Sequence, residues 1–257
     1  MTEFLSVERE AGLLTLRLNR PDKKNALTRA MYSAMSEALL AADTDASVRA
    51  VLITGGTECF TSGNDVADFL QAPPTSLDSP VFHFMQALFD LKKPIVAAVA
   101  GPAVGIGTTL LLHCDLVYVS RSAKLKMPFV SLGLCPEFGS SLILPRLLGH
   151  AKAAELLLLG ESFSGEQAAG WGIANAALED GAATLAKARE MALRFSQLAP
   201  SAVEVSKRLI QAPGREELRR VILEEGELFG LRLRTPEAIE ALSAFMQRRK
   251  PDFSKFV

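Results

Sequence analysis

The stretch from Pro94 to Leu112 has no charged side chain, and it constrains the fold more than any other part of the sequence. Its length alone would suit a helix that spans a membrane. However, Gly101, Pro102, Gly105 and Gly107 interrupt its middle, and the remaining residues are largely Ala, Val, Thr and Leu. The pattern therefore predicts a buried strand, a glycine turn and the start of a helix, in a protein that does not cross a membrane.

Strand and helix patterns alternate along the first part of the chain. Residues 4–10 and 13–19 predict two strands joined by a short turn, with apolar and polar positions alternating in the second. Thr28 can cap the helix that follows, and Ala50–Thr54 is an apolar strand of the kind covered on both faces. From about Ser140 onward nearly every segment is predicted to be helical. This alternation is typical of an α/β fold.

The overall composition excludes several function classes. The 257 residues include 28 basic and 29 acidic side chains, with a formal net charge of −1, so no strong field attracts nucleic acid or an anionic membrane. Three cysteines without a CxxC spacing fit reduced thiols inside a cell. The acidic N-terminal residues do not resemble a targeting signal. We expect a cytoplasmic protein that binds neither nucleic acid nor membranes.

Familiar catalytic and metal-binding motifs are missing from the sequence. There is no GxSxG nucleophile elbow, and the three histidines are too widely spaced for a paired ligand motif, so no metal site is predicted. His113, at the end of an apolar helix, is interpreted as structural. Gly105 and Gly107 suggest a dinucleotide fingerprint, but Leu110 stands in place of its third glycine. No dinucleotide cofactor is expected.

Two strand-turn-helix segments are more informative together than either one alone. Cys59–Phe69 has Asn64 just after a glycine turn, and Val99–Asp115 has Ile106 within a second one. Each turn can present a free backbone N–H group, and the second N–H would lie at the positively polarised N-terminus of a helix. Two such donors aimed at one point form an oxyanion hole, which stabilises negative charge on a carbonyl oxygen.

With these motifs in this order, the chain resembles the enoyl-CoA hydratase/isomerase (crotonase) superfamily. The resemblance covers almost the whole chain, and its motifs lie at residues 18–28, 60–69, 93–120 and 244–253. It implies a crotonase-like spiral of ββα units over residues 1–195 and a C-terminal helical oligomerisation region over residues 196–257. It also implies homotrimers or dimers of trimers. The implied substrate is an acyl-CoA thioester, so coenzyme A enters as part of the substrate and no separate cofactor is needed.

The resemblance also implies roles for individual residues, by their position in these motifs. The backbone N–H groups of Asn64 and Ile106 would form the oxyanion hole. The nucleotide end of the CoA site would be formed by residues from two distant parts of the chain: Lys24, Ala26, Phe229, Phe245 and Arg248.

The side chains that face the thioester distinguish the reactions of this superfamily. Its hydratases commonly use two glutamates, but Thr109 and Phe129 stand at those positions here. Glu137, after Pro136 and before a turn of small residues, resembles instead the glutamate of the Δ3,Δ2-enoyl-CoA isomerase branch. The predicted function is therefore an isomerase of fatty-acid degradation, which shifts a C3–C4 double bond to C2–C3 with Glu137 as its single proton carrier.

Several alternatives stay open at this stage. Glu137 alone also fits an ordinary solvated loop acid. An enoyl-CoA hydratase, a lyase or a thioester hydrolase of the same superfamily would use a differently placed residue, for which Asp68 is the candidate. A non-catalytic acyl-CoA-binding homologue would keep both glycine turns but direct Glu137 to solvent. The isomerase prediction requires that an apolar pocket, formed by Phe129, Leu134 and Phe138, raises the pKa of Glu137.

Overall fold

Two β-sheets organise the described part of the chain, residues 2–74 and 76–256 of a computed structural model. In chain order the strands are β1 (Leu5–Glu10), β2 (Leu13–Leu18), β3 (Ala50–Thr54), β4 (Ile95–Val99), β5 (Pro102–Val104), β6 (Leu116–Ser120), β7 (Lys124–Lys126), β8 (Phe163–Ser164) and β9 (Ala176–Leu178). The larger sheet has the order β1-β2-β3-β4-β6-β9, and the smaller one has the order β5-β7-β8. In the larger sheet only β1 and β2 pair antiparallel, and the other neighbours are parallel.

Helices connect the strands and make up most of the C-terminal part. In chain order they are α1 (Arg29–Thr44), α2 (Val66–Gln71), α3 (Pro80–Asp90), α4 (Ile106–Thr109), α5 (Ser140–Leu148), α6 (His150–Ala154), α7 (Gly165–Gly170), α8 (Gly181–Arg194), α9 (Pro200–Gln211), α10 (Arg215–Arg232) and α11 (Pro236–Met246). A 3₁₀ turn at Leu110–His113 extends α4, and a π-helical turn at Glu155–Leu159 extends α6.

The central strands are buried on both faces, because helices cover each side of the larger sheet. Along β3, Val51 and Ile53 pack in one apolar layer with α1 and α3, whereas Leu52 packs in a second layer beneath α8. This alternation follows from the period of two in a strand. Every residue of β3 and β4 is buried, which confirms the prediction for the strand Ala50–Thr54.

Most predicted elements are confirmed, including the two N-terminal strands and the cap of the first helix. The Thr28 hydroxyl accepts a hydrogen bond from the Met31 N–H at 3.3 Å, and α1 begins at the next residue, Arg29. The prediction of an almost wholly helical chain after Ser140 is wrong at β8 and β9. Neither segment is long enough to show a strand period, and pairing with β7 and β6 decides their conformation.

A buried lysine ties the C-terminal helices to the sheet. The Lys207 ammonium group of α9 donates to the Asp115 carboxylate and to the Lys93 carbonyl oxygen, both at 2.8 Å. Asp115 in turn accepts a hydrogen bond from the Ile95 N–H at the start of β4. The predicted division of the chain at residue 195 stays a prediction. Across the residues that the structure describes, no helix has both the length and the apolar character needed to cross a membrane.

Candidate active site

The two glycine turns lie against each other. Residues around Thr61 pair with β5: the Thr61 N–H donates to Pro102 O at 3.0 Å, and the Val104 N–H donates to Thr61 O at 3.1 Å. A side chain at Gly63 would lie 2.8 Å from Val104 O, and one at Gly107 would overlap the Thr61 methyl group. Only glycine fits at these two contacts. The two predicted glycine turns therefore pack against each other in the fold.

Each turn leaves a backbone donor without a partner in the described part of the chain. The Asn64 N–H forms no hydrogen bond, although its neighbours pair with Leu27. The Ile106 N–H is the first of α4 and likewise has no acceptor, while Ile106 itself is buried. A helix N-terminus leaves such groups free to bind an anion or a polarised oxygen.

Asn25, in the loop before α1, holds the first glycine turn from one side. The buried Asn25, in the left-handed region at φ 54°, donates through its side-chain amide to Cys59 O at 2.8 Å and to Phe60 O at 3.2 Å. Its own carbonyl oxygen accepts from the Thr61 hydroxyl at 2.6 Å. On the far side, the Tyr32 hydroxyl donates to Asn64 Oδ1. The position of Asn64 is therefore set by contacts on both sides.

Glu137 is buried, with only 4% of its surface exposed. Its Oε1 atom and the Thr109 Oγ1 atom are both buried without a hydrogen-bond partner. Burial raises the pKa of Glu137 to about 8, the negative charge of Glu225 adds to the rise, and the nearby Thr109 hydroxyl lowers the pKa in part. The three predicted pocket residues, Phe129, Leu134 and Phe138, are also buried. The alternative of a solvated loop acid is therefore wrong.

The turn that follows Glu137 is held in an unusual backbone conformation. Phe138 has φ 55° and Gly139 has φ 74°, so both lie in the left-handed region just before α5. The Glu225 carboxylate of α10 accepts hydrogen bonds from the backbone N–H groups of Gly139 and Ser141. Through these hydrogen bonds the C-terminal helix α10 holds the turn in place.

His113 supports the same turn from the opposite side. Its ring stacks on the Phe138 ring, with centroids 3.8 Å apart, and its Nε2 atom lies 2.7 Å from Phe138 O. Burial lowers the pKa of His113 to about 4, so the ring is neutral and Nε2 is the donor to the carbonyl oxygen. Interpreting His113 as structural is consistent with these contacts.

Both positions at which hydratases of the superfamily have glutamates lie at this site. The Thr109 hydroxyl neighbours Glu137, as described above, and Thr109 is fully buried. Phe129 lies beside the second glycine turn, because a Cβ atom added at Gly105 would be 3.9 Å from the Phe129 ring. Neither position has an ionisable group. Glu137 is therefore the unpartnered carboxylate among the described residues of this site.

The residues predicted for the nucleotide end of CoA come from two distant parts of the chain and differ in their exposure. Lys24 is exposed and Ala26 is half-buried in the loop that contacts the first glycine turn, where Lys24 O accepts from the Ser62 N–H at 2.9 Å. Phe245 and Arg248 are exposed at the end of α11. By contrast, the Phe229 ring is buried and makes edge contacts with two other rings of the site, Phe69 and Phe129.

Asp68, the alternative candidate for a base, is already engaged. Its carboxylate accepts from the Arg29 backbone N–H at 2.8 Å and forms an ion pair with the Arg29 guanidinium at 3.2 Å. It lines a cavity of about 200 Å³ together with Leu27, Tyr32 and Phe69. Tyr32 lines this cavity and donates its hydroxyl hydrogen bond to Asn64. The negative charges of Glu137 and Asp68 add to the effect of burial in raising the pKa of Tyr32.

Sequence reasoning missed Tyr32 and Glu225. A signal for Glu225 was present, because Leu218, Ile222 and Phe229 fall on the same side of α10 at helical spacing and Glu225 lies between them. An acidic residue on an otherwise apolar helix face predicts a buried partner. No group of His, Cys, Asp and Glu side chains suited to a metal ion occurs within residues 2–74 and 76–256.

Comparison with known proteins identifies the family of the chain. The family model described as "Enoyl-CoA hydratase/isomerase" matches residues 8–255. The chain is 35% identical to human "Enoyl-CoA delta isomerase 2" over 96% of its own length and 64% of that protein, and 32% identical to "2,3-dehydroadipyl-CoA hydratase" of Escherichia coli over 98% and 99%. Thus it spans just under two thirds of the human relative.

Solved structures show the same fold. The structure of OdaA from Pseudomonas aeruginosa is 72% identical and superimposes with a TM-score of 0.95, covering 96% of this chain and all of that one. The predicted crotonase-like α/β fold is therefore confirmed. Relatives named as isomerases and relatives named as hydratases both occur, so membership alone does not choose between these reactions. The chain belongs to the enoyl-CoA hydratase/isomerase family, within the crotonase superfamily of acyl-CoA enzymes.

Proposed function

We propose that the protein is a Δ3,Δ2-enoyl-CoA isomerase in which Glu137 moves the proton. The observation that supports this most strongly is the burial of one unpartnered carboxylate beside Thr109, in a chain that has no glutamate at either hydratase position, Thr109 or Phe129. A double-bond shift adds no water, and one carboxylate suffices for it.

The reaction begins when the Glu137 carboxylate takes a proton from C2 of a 3-enoyl-CoA. The electron pair of the C–H bond forms a dienolate, whose negative charge develops on the thioester oxygen. The free N–H groups of Asn64 and Ile106 stabilise this charge, and loss of one such donor typically costs about 3 kcal/mol of barrier. Protonated Glu137 then gives the proton to C4, which leaves the double bond between C2 and C3 and restores the carboxylate.

The raised pKa of Glu137 suits both halves of this reaction. A carboxyl group with a pKa of about 8 is a stronger base than an ordinary glutamate, and it readily holds the proton between the two steps. The buried rings of Phe129 and Phe138 exclude water from the dienolate. We place the acyl chain toward the cavity lined by Tyr32, because the hydroxyl group of Tyr32 also contacts Asn64.

The experiment compares wild type with Glu137→Gln in two assays, conversion of 3-enoyl-CoA to 2-enoyl-CoA and hydration of 2-enoyl-CoA. We expect the substitution to lower the isomerase kcat by about 10²- to 10⁴-fold. Binding of a saturated acyl-CoA, measured by calorimetry, should remain, since the oxyanion turns are untouched. Hydration should be slow in both proteins.

Two further variants make the assay decisive. Glu161→Gln changes an exposed glutamate outside the site and should leave both rates unchanged. Asp68→Asn tests the alternative base: a loss of isomerisation confined to this variant would replace Glu137 with Asp68. Equal isomerase rates in wild type and Glu137→Gln would remove Glu137 from catalysis, and rapid hydration without isomerisation would favour the hydratase alternative.

We propose further that the enzyme is a homotrimer or a dimer of trimers, with Lys24, Ala26, Phe245 and Arg248 at the nucleotide end of CoA. Large apolar side chains stay exposed on the C-terminal helices of the single chain, among them Leu209, Ile210, Leu228, Leu231, Ile239 and Phe245. Such surfaces on a soluble protein mark interfaces with other chains. For Phe229, the buried ring cluster favours a place beside the acyl group.

A further inference from the structure

We propose that Glu225 of α10 is the positioning residue of this active site: its carboxylate holds the turn that follows Glu137 and places a negative charge behind the catalytic carboxyl group. This inference rests on the proposed role of Glu137. The C-terminal helix α10 thereby supports the active site of its own chain, because its Glu225 side chain holds the turn at Phe138 and Gly139.

The hydrogen bonds of Glu225 are specific to one conformation of the turn. Its two carboxylate oxygens accept from different backbone groups, Oε2 from the Gly139 N–H and Oε1 from the Ser141 N–H. Both N–H groups lie at the start of α5, where no intrahelical acceptor exists. A carboxylate at a helix N-terminus is also favoured by the helix dipole. Glu225 thus stabilises the first turn of α5 in the orientation that follows Glu137.

This support offsets backbone strain at the catalytic residue. Phe138, the residue next to Glu137, has φ 55°, which is unfavourable for a side chain of its size. His113 holds its ring and carbonyl oxygen, and Glu225 holds the N–H of the following residue, Gly139. Ser140 adds a third contact by donating its hydroxyl to Glu137 O at 2.7 Å. Without these contacts the turn would relax and Glu137 would move.

The groups around Glu137 explain why the charge of Glu225 matters. Glu225 faces it from α10, Thr109 from α4 and Tyr32 from α1, while Cys135 lies in its own loop and His113 is neutral. No cation contributes to the pKa of Glu137. Burial raises the pKa of Glu225 as well, but hydrogen bonds from Ser141 and Gly139 lower it in part, whereas Glu137 Oε1 has no backbone donor. We therefore expect Glu225 to ionise first. Its charge then opposes ionisation of Glu137, and the base becomes stronger.

The test uses Glu225→Gln, which keeps the side-chain length but removes the charge. The titration of Glu137 is followed by infrared difference spectroscopy, in which the protonated-carboxyl band that disappears in Glu137→Gln identifies it. In Glu225→Gln we expect the midpoint to move to lower pH by roughly one unit. The kcat of isomerisation should fall about tenfold or more with a smaller change in KM, and the acid limb of its pH profile should move in parallel.

Two variants separate this effect from a general disturbance. Glu224→Gln alters the adjacent exposed residue, which pairs with Arg220, and should leave both midpoint and kcat unchanged. Glu225→Asp keeps the charge but shortens its reach, so its midpoint should lie closer to wild type than that of Glu225→Gln, while its kcat falls. If Glu225→Gln does not fold, Glu225→Asp still tests the positioning role: a kcat equal to that of wild type in this variant would overturn it.

The spectroscopic readout keeps this inference distinct from the proposed function. An unchanged Glu137 midpoint in folded Glu225→Gln would overturn the role of Glu225, whatever reaction the enzyme performs. Absence of isomerisation by wild type would overturn the proposed function, and a shifted midpoint in the same experiment would still support the electrostatic coupling between the two carboxyl groups.

Discussion

The buried Glu137 should make the protein less stable as pH rises, and Glu137→Gln should remove this dependence. Burial, reinforced by the charge of Glu225, raises the pKa of Glu137 from 4.5 to about 8 in the folded state. Between these values the unfolded chain has released the proton and the folded protein still holds it. Because the folded state then binds more protons, its free energy of unfolding falls with rising pH.

The size of the effect follows from the width of this interval. Each pH unit across it removes about 1.4 kcal/mol from the free energy of unfolding per proton retained by the folded state. Near the lower pKa the unfolded group is only partly ionised, so the loss between pH 5 and pH 7 is about 2.5 kcal/mol. The folded group ionises as pH passes through about 8, and at higher pH the contribution becomes constant.

Urea unfolding of both proteins at pH 5, 6, 7 and 8 measures this loss. The chain has one tryptophan, the half-buried Trp171, whose fluorescence reports unfolding. Relative to wild type, Glu137→Gln should gain about 2.5 kcal/mol between pH 5 and pH 7. The protein concentration must be the same throughout, because the stability of an oligomer depends on it.

The comparison of the two proteins isolates Glu137 from other titrating groups. Replacing the carboxyl group by an amide also changes stability by a constant amount, but that amount does not depend on pH. Glu161→Gln, at an exposed position, should follow the wild-type curve. A free-energy difference between wild type and Glu137→Gln that stays constant from pH 5 to pH 8 would refute the reasoning, because it would mean that Glu137 titrates normally in the folded protein.

Two further predictions concern the oxyanion turns and the assembly. Gly107→Ala should lower kcat by about tenfold or more, because the new methyl group overlaps Thr61 and pushes the turn before Asn64 away from Ile106. A variant that binds acyl-CoA and has the kcat of wild type would contradict this prediction. The mass in solution, measured by analytical ultracentrifugation, should be three or six times that of the chain, and a monomer would contradict the proposed interface of the C-terminal helices.

Local sequence patterns were sufficient for the five longer strands, β1 to β4 and β6, and for the two glycine turns, whereas Glu137 was chosen through the resemblance to the isomerase branch. Asn25, Gly63 and Gly107 lie in short motifs whose backbone requirements can be recognised without knowing what packs against them. The short strand β9 could not be recognised in this way, because its three residues form a strand only through pairing with β6. The same limit applies to Phe229, whose burial depends on the rings of Phe69 and Phe129.

The sequence by itself therefore determined the α/β fold, and its resemblance to the superfamily pointed to Asn64, Ile106 and Glu137 as candidate site residues. Only the tertiary structure decided that Glu137 is buried without a partner, that Thr109 lies beside it and that Glu225 and His113 hold its turn. The physical reason is distance along the chain: Glu225 and Gly139 are separated by 86 positions, and the desolvation and charge that shift a pKa depend on such contacts.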